Sequence, residues 1–264
     1  TLYSLVPNDN VGNFEVERSG VATRVNKDGL IEVVAPNVPR LDYSDGGCPK
    51  LLTEVASENL IEYSEDFSGW TFAQEVTTNN SISPRGDNSA DEIPNSLQRI
   101  AKNSASTTNI DNTFSVYVKL VDSDYFTLSS YTSNNDWIAA TFDITNGTIT
   151  NEGIGSESSV LDTKASIEKF SNGYCRISIT NNTSISSGIN LQRVDNPTHS
   201  YGVFGVASDT YSDGYSLIWG CQVEEQPQAT SYIPTNGSPQ QRGADQVTNA
   251  GDSSTFNSES GVLF

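Results

Sequence analysis

The chain has 264 residues, of which 35% are hydrophobic and only 18% charged. That length suits one large domain or two small ones, and a polar remainder dominated by Ser, Thr, Asn and Gly favours turn-rich β-structure over helices. A balance of 14 basic against 33 acidic residues gives a net charge of −19, which excludes nucleic-acid binding through an electrostatic footprint, and no apolar stretch approaches the ~20 residues of a membrane span.

The chain opens at Thr1, holds no Met and has no signal-peptide pattern, so a processed product or a piece of something longer is expected. Residues 1–58 read as an extended N-terminal arm with a hairpin. Ala22 to Val25 and Leu30 to Val34 are short extended pieces joined by Lys27-Asp28-Gly29, and Asp-Gly supplies the positive φ that tight turns need. Pro36, Pro39 and Asp45-Gly46-Gly47 break the chain beyond the hairpin.

Residues 59–235 carry regular alternation. In Phe114 to Leu120 the residues Phe114, Val116, Val118 and Leu120 share one face, as in a half-buried strand. Tyr125 to Ser130, Trp137 to Ile144, Tyr174 to Thr180, Ile189 to Val194, Tyr201 to Ala207 and Tyr215 to Val223 read the same way, with Asn146-Gly147 marking a hairpin turn. Such segments, separated by turn clusters without a helix between them, predict an all-β antiparallel sandwich. Phe114, Val116, Val118, Ile177, Ile179, Val203 and Ile218 are its expected inward residues. Residues 236–264 lose the pattern and read as a C-terminal tail with an apolar end at Val262-Leu263-Phe264.

Cys48, Cys175 and Cys221 are too few and too scattered for a disulfide framework or a zinc site, so three buried free thiols are expected. Arg85-Gly86-Asp87 could be an adhesion tripeptide, but a turn explains it with fewer assumptions. Sequons at Asn79, Asn146, Asn181 and Asn182 arise freely in so Asn- and Ser-rich a chain. His199, the single histidine, lies in a turn-like stretch and is expected to be solvated rather than catalytic; no nucleophile elbow accompanies it. Asp122, Asp124, Asp209 and Asp213 could lend oxygen ligands to a structural calcium ion, although no complete calcium loop is present.

Trp137 follows Asn134-Asn135-Asp136 at a loop–strand junction, whereas Trp70 and Trp219 read as core or edge packing. Sugar rings stack on flat aromatic faces while neighbouring amides and carboxylates bond their hydroxyls. Tyr131, Asn134, Asn135, Asp136 and Trp137 therefore form a candidate glycan patch, the alternative being a Trp that covers the sandwich edge.

Several segments together resemble tail, fibre and other virion proteins of bacteriophages. They are Leu2 to Pro7, Ala22 to Asn26, Gly29 to Glu32, Cys48 to Leu52, Glu58 to Ile61, Tyr63 to Phe67 with Trp70, Asn172 to Ile177, Ile218 to Glu224, Ala229 to Thr235 and Arg242 to Asp245. Tyr174-Cys175 stands where that family has an aromatic pair, and Cys221 where it commonly has Ala. The resemblance implies a jelly-roll β-sandwich similar to carbohydrate-binding modules, in a non-enzymatic structural or adhesive virion protein. Its expected setting is the virion or another extracellular surface, with other virion proteins and host cell-surface polysaccharide as partners. It transfers no particular ligand, because scaffold motifs define the family. The arm and tail suggest subunits that clasp one another in a homo-oligomer, a trimer by analogy with fibres and spikes. The competing reading is a carbohydrate-binding module of a secreted polysaccharide-degrading enzyme.

Overall fold

The computed structural model describes residues 14–71, 73, 75–94, 100–102, 111–121, 125–156, 164–181, 188–208 and 214–248. Among them the chain is all-β. The N-terminal part supplies β1 (Glu15–Glu17), β2 (Ala22–Val25), β3 (Ile31–Val34), β4 (Leu41–Asp42), β5 (Lys50–Leu51) and β6 (Ser57–Asn59). Then come β7 (Thr77–Ser81), β8 (Ala90–Pro94), β9 (Ile100–Lys102), β10 (Asn112–Leu120), β11 (Tyr125–Tyr131) and β12 (Trp137–Asp143). The remainder are β13 (Thr148–Ile154), β14 (Lys164–Lys169), β15 (Cys175–Asn181), β16 (Gly188–Val194), β17 (Tyr215–Glu224), β18 (Gln240–Arg242) and β19 (Gln246–Thr248).

Two larger antiparallel sheets form a sandwich-like fold. One has the order β14-β15-β10-β17-β8-β7, the other β13-β12-β11-β16-β9. Alternate residues meet between them: Phe114, Val116, Val118, Ile177, Ile179 and Ile218 from the first, with Phe126, Leu128, Ile138, Phe142 and Leu191 from the second, all buried. Burying a side chain of this size contributes roughly 1.5–3 kcal/mol, so this layer dominates stability.

Turn chemistry places the hairpins. Gly29 takes φ +76° between β2 and β3, and the Asn26 side chain accepts the N–H groups of Asp28 and Leu30. Gly147 takes φ +72° between β12 and β13, where Asp143 accepts the Asn146 N–H. Arg85-Gly86-Asp87 is a turn: Ser83 N–H bonds to Asp87 O, and Gly86 takes φ +91°.

The N-terminal region and the first part of the tail find partners in their own chain. β1 pairs with β19 and β6 with β18. The β2–β3 hairpin lies over the outer face of the six-stranded sheet, where Ile31 joins Ala90, Tyr117, Tyr174, Leu217, Trp219 and Tyr232 in a second buried cluster. A charge cluster seals this cover. Arg18 and Arg40 both pair with Asp245, Arg40 and Arg242 both pair with Glu54, and these five side chains are all largely or wholly buried.

Three expectations are corrected. Tyr201 to Ala207 is no strand: its middle curls into a 3₁₀ turn (Val203–Gly205) with Phe204 at φ +61°, and Val203 is 54% exposed rather than inward. The segment folds back on itself, with the Gly202 N–H bonded to Val206 O and the Phe204 N–H to Asn134 O, while sheet side chains take the Phe204 and Ala207 carbonyls, so it forms a tight loop rather than a ladder strand. His199 is buried, 8% exposed, not solvated. Cys48 is exposed in a glycine-rich loop, while Cys175 and Cys221 are buried; all three are free thiols.

Candidate functional site

The outer face of the five-stranded sheet holds the predicted glycan patch. Successive side chains point to opposite faces of a strand, so Trp137, Ala139 and Thr141 of β12 lie opposite the core residues Ile138, Ala140 and Phe142. Tyr131, Ser129 and Thr127 share that outer face from β11, and Asn190 and Gln192 from β16. Residues 196–208 run across it as a strap. Ser129 Oγ and Asn190 Nδ2 donate to the Phe204 carbonyl at 2.9 and 3.0 Å. Gln192 both donates to Ala207 O at 3.0 Å and accepts from Ala207 N–H at 2.8 Å. Asn151 donates to His199 O at 2.7 Å.

The five patch residues meet at one end of this face. Asn134 and Asn135 are exposed, Tyr131 and Asp136 are half-buried, and Asp136 is tied to Thr132 by a side-chain bond. The aromatic rings are engaged within the chain. Tyr131 packs on Phe204, ring centres 4.9 Å apart, and Trp137 on Tyr201 at 5.7 Å. A Cβ at Gly153, Gly155 or Gly205 would come within 3.1, 2.9 and 3.0 Å of the Trp137 indole. The indole therefore sits in a glycine-lined recess. Asp122, Asp124, Asp209 and Asp213 lie outside the described residues, and among the described residues no three His, Cys, Asp or Glu side chains gather as a metal site.

A second polar site was not singled out by sequence reasoning. A cleft of about 600 Å³ opens where the segment 63–67 meets the start of the tail and the β7–β8 region, lined by Tyr63, Glu65, Asp66, Asn79, Arg85 and Gln240 among others. Tyr63 is 45% exposed and bridges to Asn236. Beneath it Ser64 exchanges bonds with Thr235, its N–H going to Thr235 Oγ1 at 3.0 Å and its Oγ accepting the Thr235 N–H at 2.9 Å.

Charges in the cleft are held. Glu65 accepts the Tyr232 hydroxyl at 2.9 Å and pairs with Arg85, whose guanidinium lies 5.2 Å above the Trp219 ring. Asp66 caps the Ser68 N–H at 2.9 Å. Beneath the walls, Asp91 accepts the backbone N–H of Phe67 and of Asn79, each at 2.9 Å. An open phenol ring beside amides and anchored charged groups is the composition that orients a hydroxyl-rich ligand, and the volume falls within the usual range for small-ligand sites. Tyr63 belongs to the segment Tyr63 to Phe67 that carries the phage-protein resemblance, which was the one signal pointing there.

No known family model matches the chain, and no curated protein matches it significantly.

Proposed function

We propose that this chain is a non-enzymatic, structural and adhesive component of a phage virion that holds host-surface glycans. The observation that carries the glycan reading is the open cleft at Tyr63, with an exposed aromatic ring and convergent polar groups in about 600 Å³. It is favoured over the Trp137 end of the strapped face because the Trp137 and Tyr131 rings already pack on Tyr201 and Phe204. A binder is favoured over a catalyst because Glu65, one of the two carboxylates that line the cleft, is engaged by Arg85 and by the Tyr232 hydroxyl.

The virion setting rests on the resemblance of the sequence segments, with a homo-oligomer, a trimer by analogy, as the proposed assembly. A jelly roll is the proposed topology: the order β8-β17-β10-β15 facing β9-β16-β11-β12 supports it. The test is binding of the purified chain to envelope polysaccharide from candidate hosts. Tyr63→Ala should abolish retention with an unchanged melting temperature. Retention that survives Tyr63→Ala and vanishes in a folded Trp137→Ala would move the site to the strapped face. Tryptic peptides of this chain in purified phage particles would support the virion setting. Their occurrence only in a secreted protein with a hydrolase domain would favour a binding module.

A further inference from the structure

Asp91 stands in β8, opposite Ile218 in the interior of the six-stranded sheet, and is 0% exposed. Its two carboxylate oxygens serve two different walls of the cleft. Oδ2 accepts the N–H of Phe67, at the end of the segment that carries Tyr63, Glu65 and Asp66. Oδ1 accepts the N–H of Asn79, which lines the cleft with a left-handed backbone at φ +51°. Asn adopts this conformation more readily than other non-glycine residues, and the bond to Asp91 helps to fix it there.

We propose that Asp91 is a positioning residue and proton-operated latch for the cleft: ionised, it clamps the Tyr63 wall to the Asn79 wall, and protonated, it releases one of them. The ligand side of this inference rests on reading the cleft as the glycan site. The chemistry is set by acceptor count. An ionised carboxylate can accept both N–H groups, whereas a protonated one turns one oxygen into a donor facing an amide hydrogen.

Burial, with help from neighbouring carboxylates, places the switch in mild acid. Burial is the largest influence and raises the Asp91 carboxyl; the Phe67 and Asn79 N–H bonds oppose it, while Asp66 and Glu65 push it further up, to about 6. Arg85, in the turn between β7 and β8, is bonded to Glu65. Glu92, next along β8, is bonded by the Ser81 hydroxyl, and Asp87 is bonded by Ser83 and Ser89. From β17 the facing residue is the uncharged Ile218.

The amide signals of Phe67 and Asn79, followed by NMR in the full chain from pH 4 to 8, should move together with one midpoint near pH 6. In Asp91→Asn both should stay flat. Asp66→Asn, an exposed change that keeps the fold, should lower the midpoint and so tests the latch even if Asp91→Asn fails to fold. Flat amides in the unaltered chain, or a titration that persists in a folded Asp91→Asn, would overturn the latch. Retention on immobilised host polysaccharide should fall about ten-fold from pH 7 to pH 5, following the ionised fraction. Titrating amides with pH-independent retention would overturn its control of binding. Titrating amides with no retention at any pH would leave the latch standing and remove the glycan assignment.

Discussion

The two outer faces of the sandwich are closed by opposite chemistry. Over the six-stranded sheet, Tyr117, Trp219 and Tyr232 interlock with ring centres 4.6–6.2 Å apart, and the covering segments are then locked by buried arginines and carboxylates. Over the five-stranded sheet the cover is a strap whose backbone is bonded by Ser129, Asn190, Gln192 and Asn151. Both sheets alternate in the same way, so the outward side chains decide what can lie on each. Aromatic rings call for an apolar cover, whereas amides and hydroxyls call for carbonyls and N–H groups.

The largest effect on this contrast should come from the charge cluster. Arg40 bonds Thr23 O, Ser231 Oγ, Glu54 and Asp245, joining both ends of the described chain. Arg40→Ala leaves buried carboxylates short of a partner and should cost about 3–5 kcal/mol, read as a lower urea midpoint. Acid should reach the same region. Burial works against the charge of Asp245 and Glu54, but Arg18 and Arg40 on the first, and Arg242, Ser231 and Arg40 on the second, hold both below their ordinary values. Depressed carboxyls contribute stability that is complete above the unfolded values of 3.8 and 4.5 and is lost as pH falls below them. Urea midpoints measured from pH 5 down to 2 should therefore decline, and a rise over that window would contradict the cluster.

Much of the sandwich was legible because a period of two needs only neighbouring residues. Phe114, Val116, Val118 and Ile177 declared their faces in that way, and Asn146-Gly147 its turn. The covers were not legible in the same way. Arg40 and Asp245 lie 205 positions apart, and nothing local marks them as partners. Tyr201 to Ala207 alternates like a strand, yet left-handed backbone at Phe204 and Gly205 lets it curl, and the side chains that hold its carbonyls come from β11 and β16. Asp91 looked like any other of the 33 acids, because its two bonded amides come from other segments. Trp137 was noticed for its type and its loop, but Gly153, Gly155 and Gly205, which form its recess, come from distant parts of the chain.

That recess gives the intermediate effect. Trp137→Ala should cost about 2 kcal/mol, less than the roughly 3–5 of a fully buried Trp, because the indole is only half-buried. Thermal melting checks it. An unchanged melting temperature would return Trp137 to the role of a free binding platform and make the strapped face the better glycan site.

The smallest effect should come from a single hydroxyl under the strap. Thr141 is wholly buried and meets Thr127 Oγ1 at 2.8 Å, His199 Nε2 at 3.1 Å and the Tyr201 hydroxyl at 2.8 Å. His199 Nδ1 lies 2.9 Å from Asn196 O, which can only accept, so Nδ1 carries a proton, and in the tautomer with that single proton Nε2 accepts from Thr141. Thr141 then has its two lone pairs for Thr127 and Tyr201, the latter sharing its proton with the Asn151 carbonyl at 3.2 Å. One donation and two acceptances are all that a hydroxyl can make. Thr141→Val keeps the shape and removes the hydroxyl, leaving His199 Nε2 bare under the strap, at a cost of about 1 kcal/mol. The loss should be local. Amide exchange at Ala207 and Phe204 should quicken, while exchange at Arg242 and Asp245 in the charge cluster stays as it was, and Thr141→Ser should restore most of the protection. Equal acceleration at both places would mean that the two covers open together rather than independently.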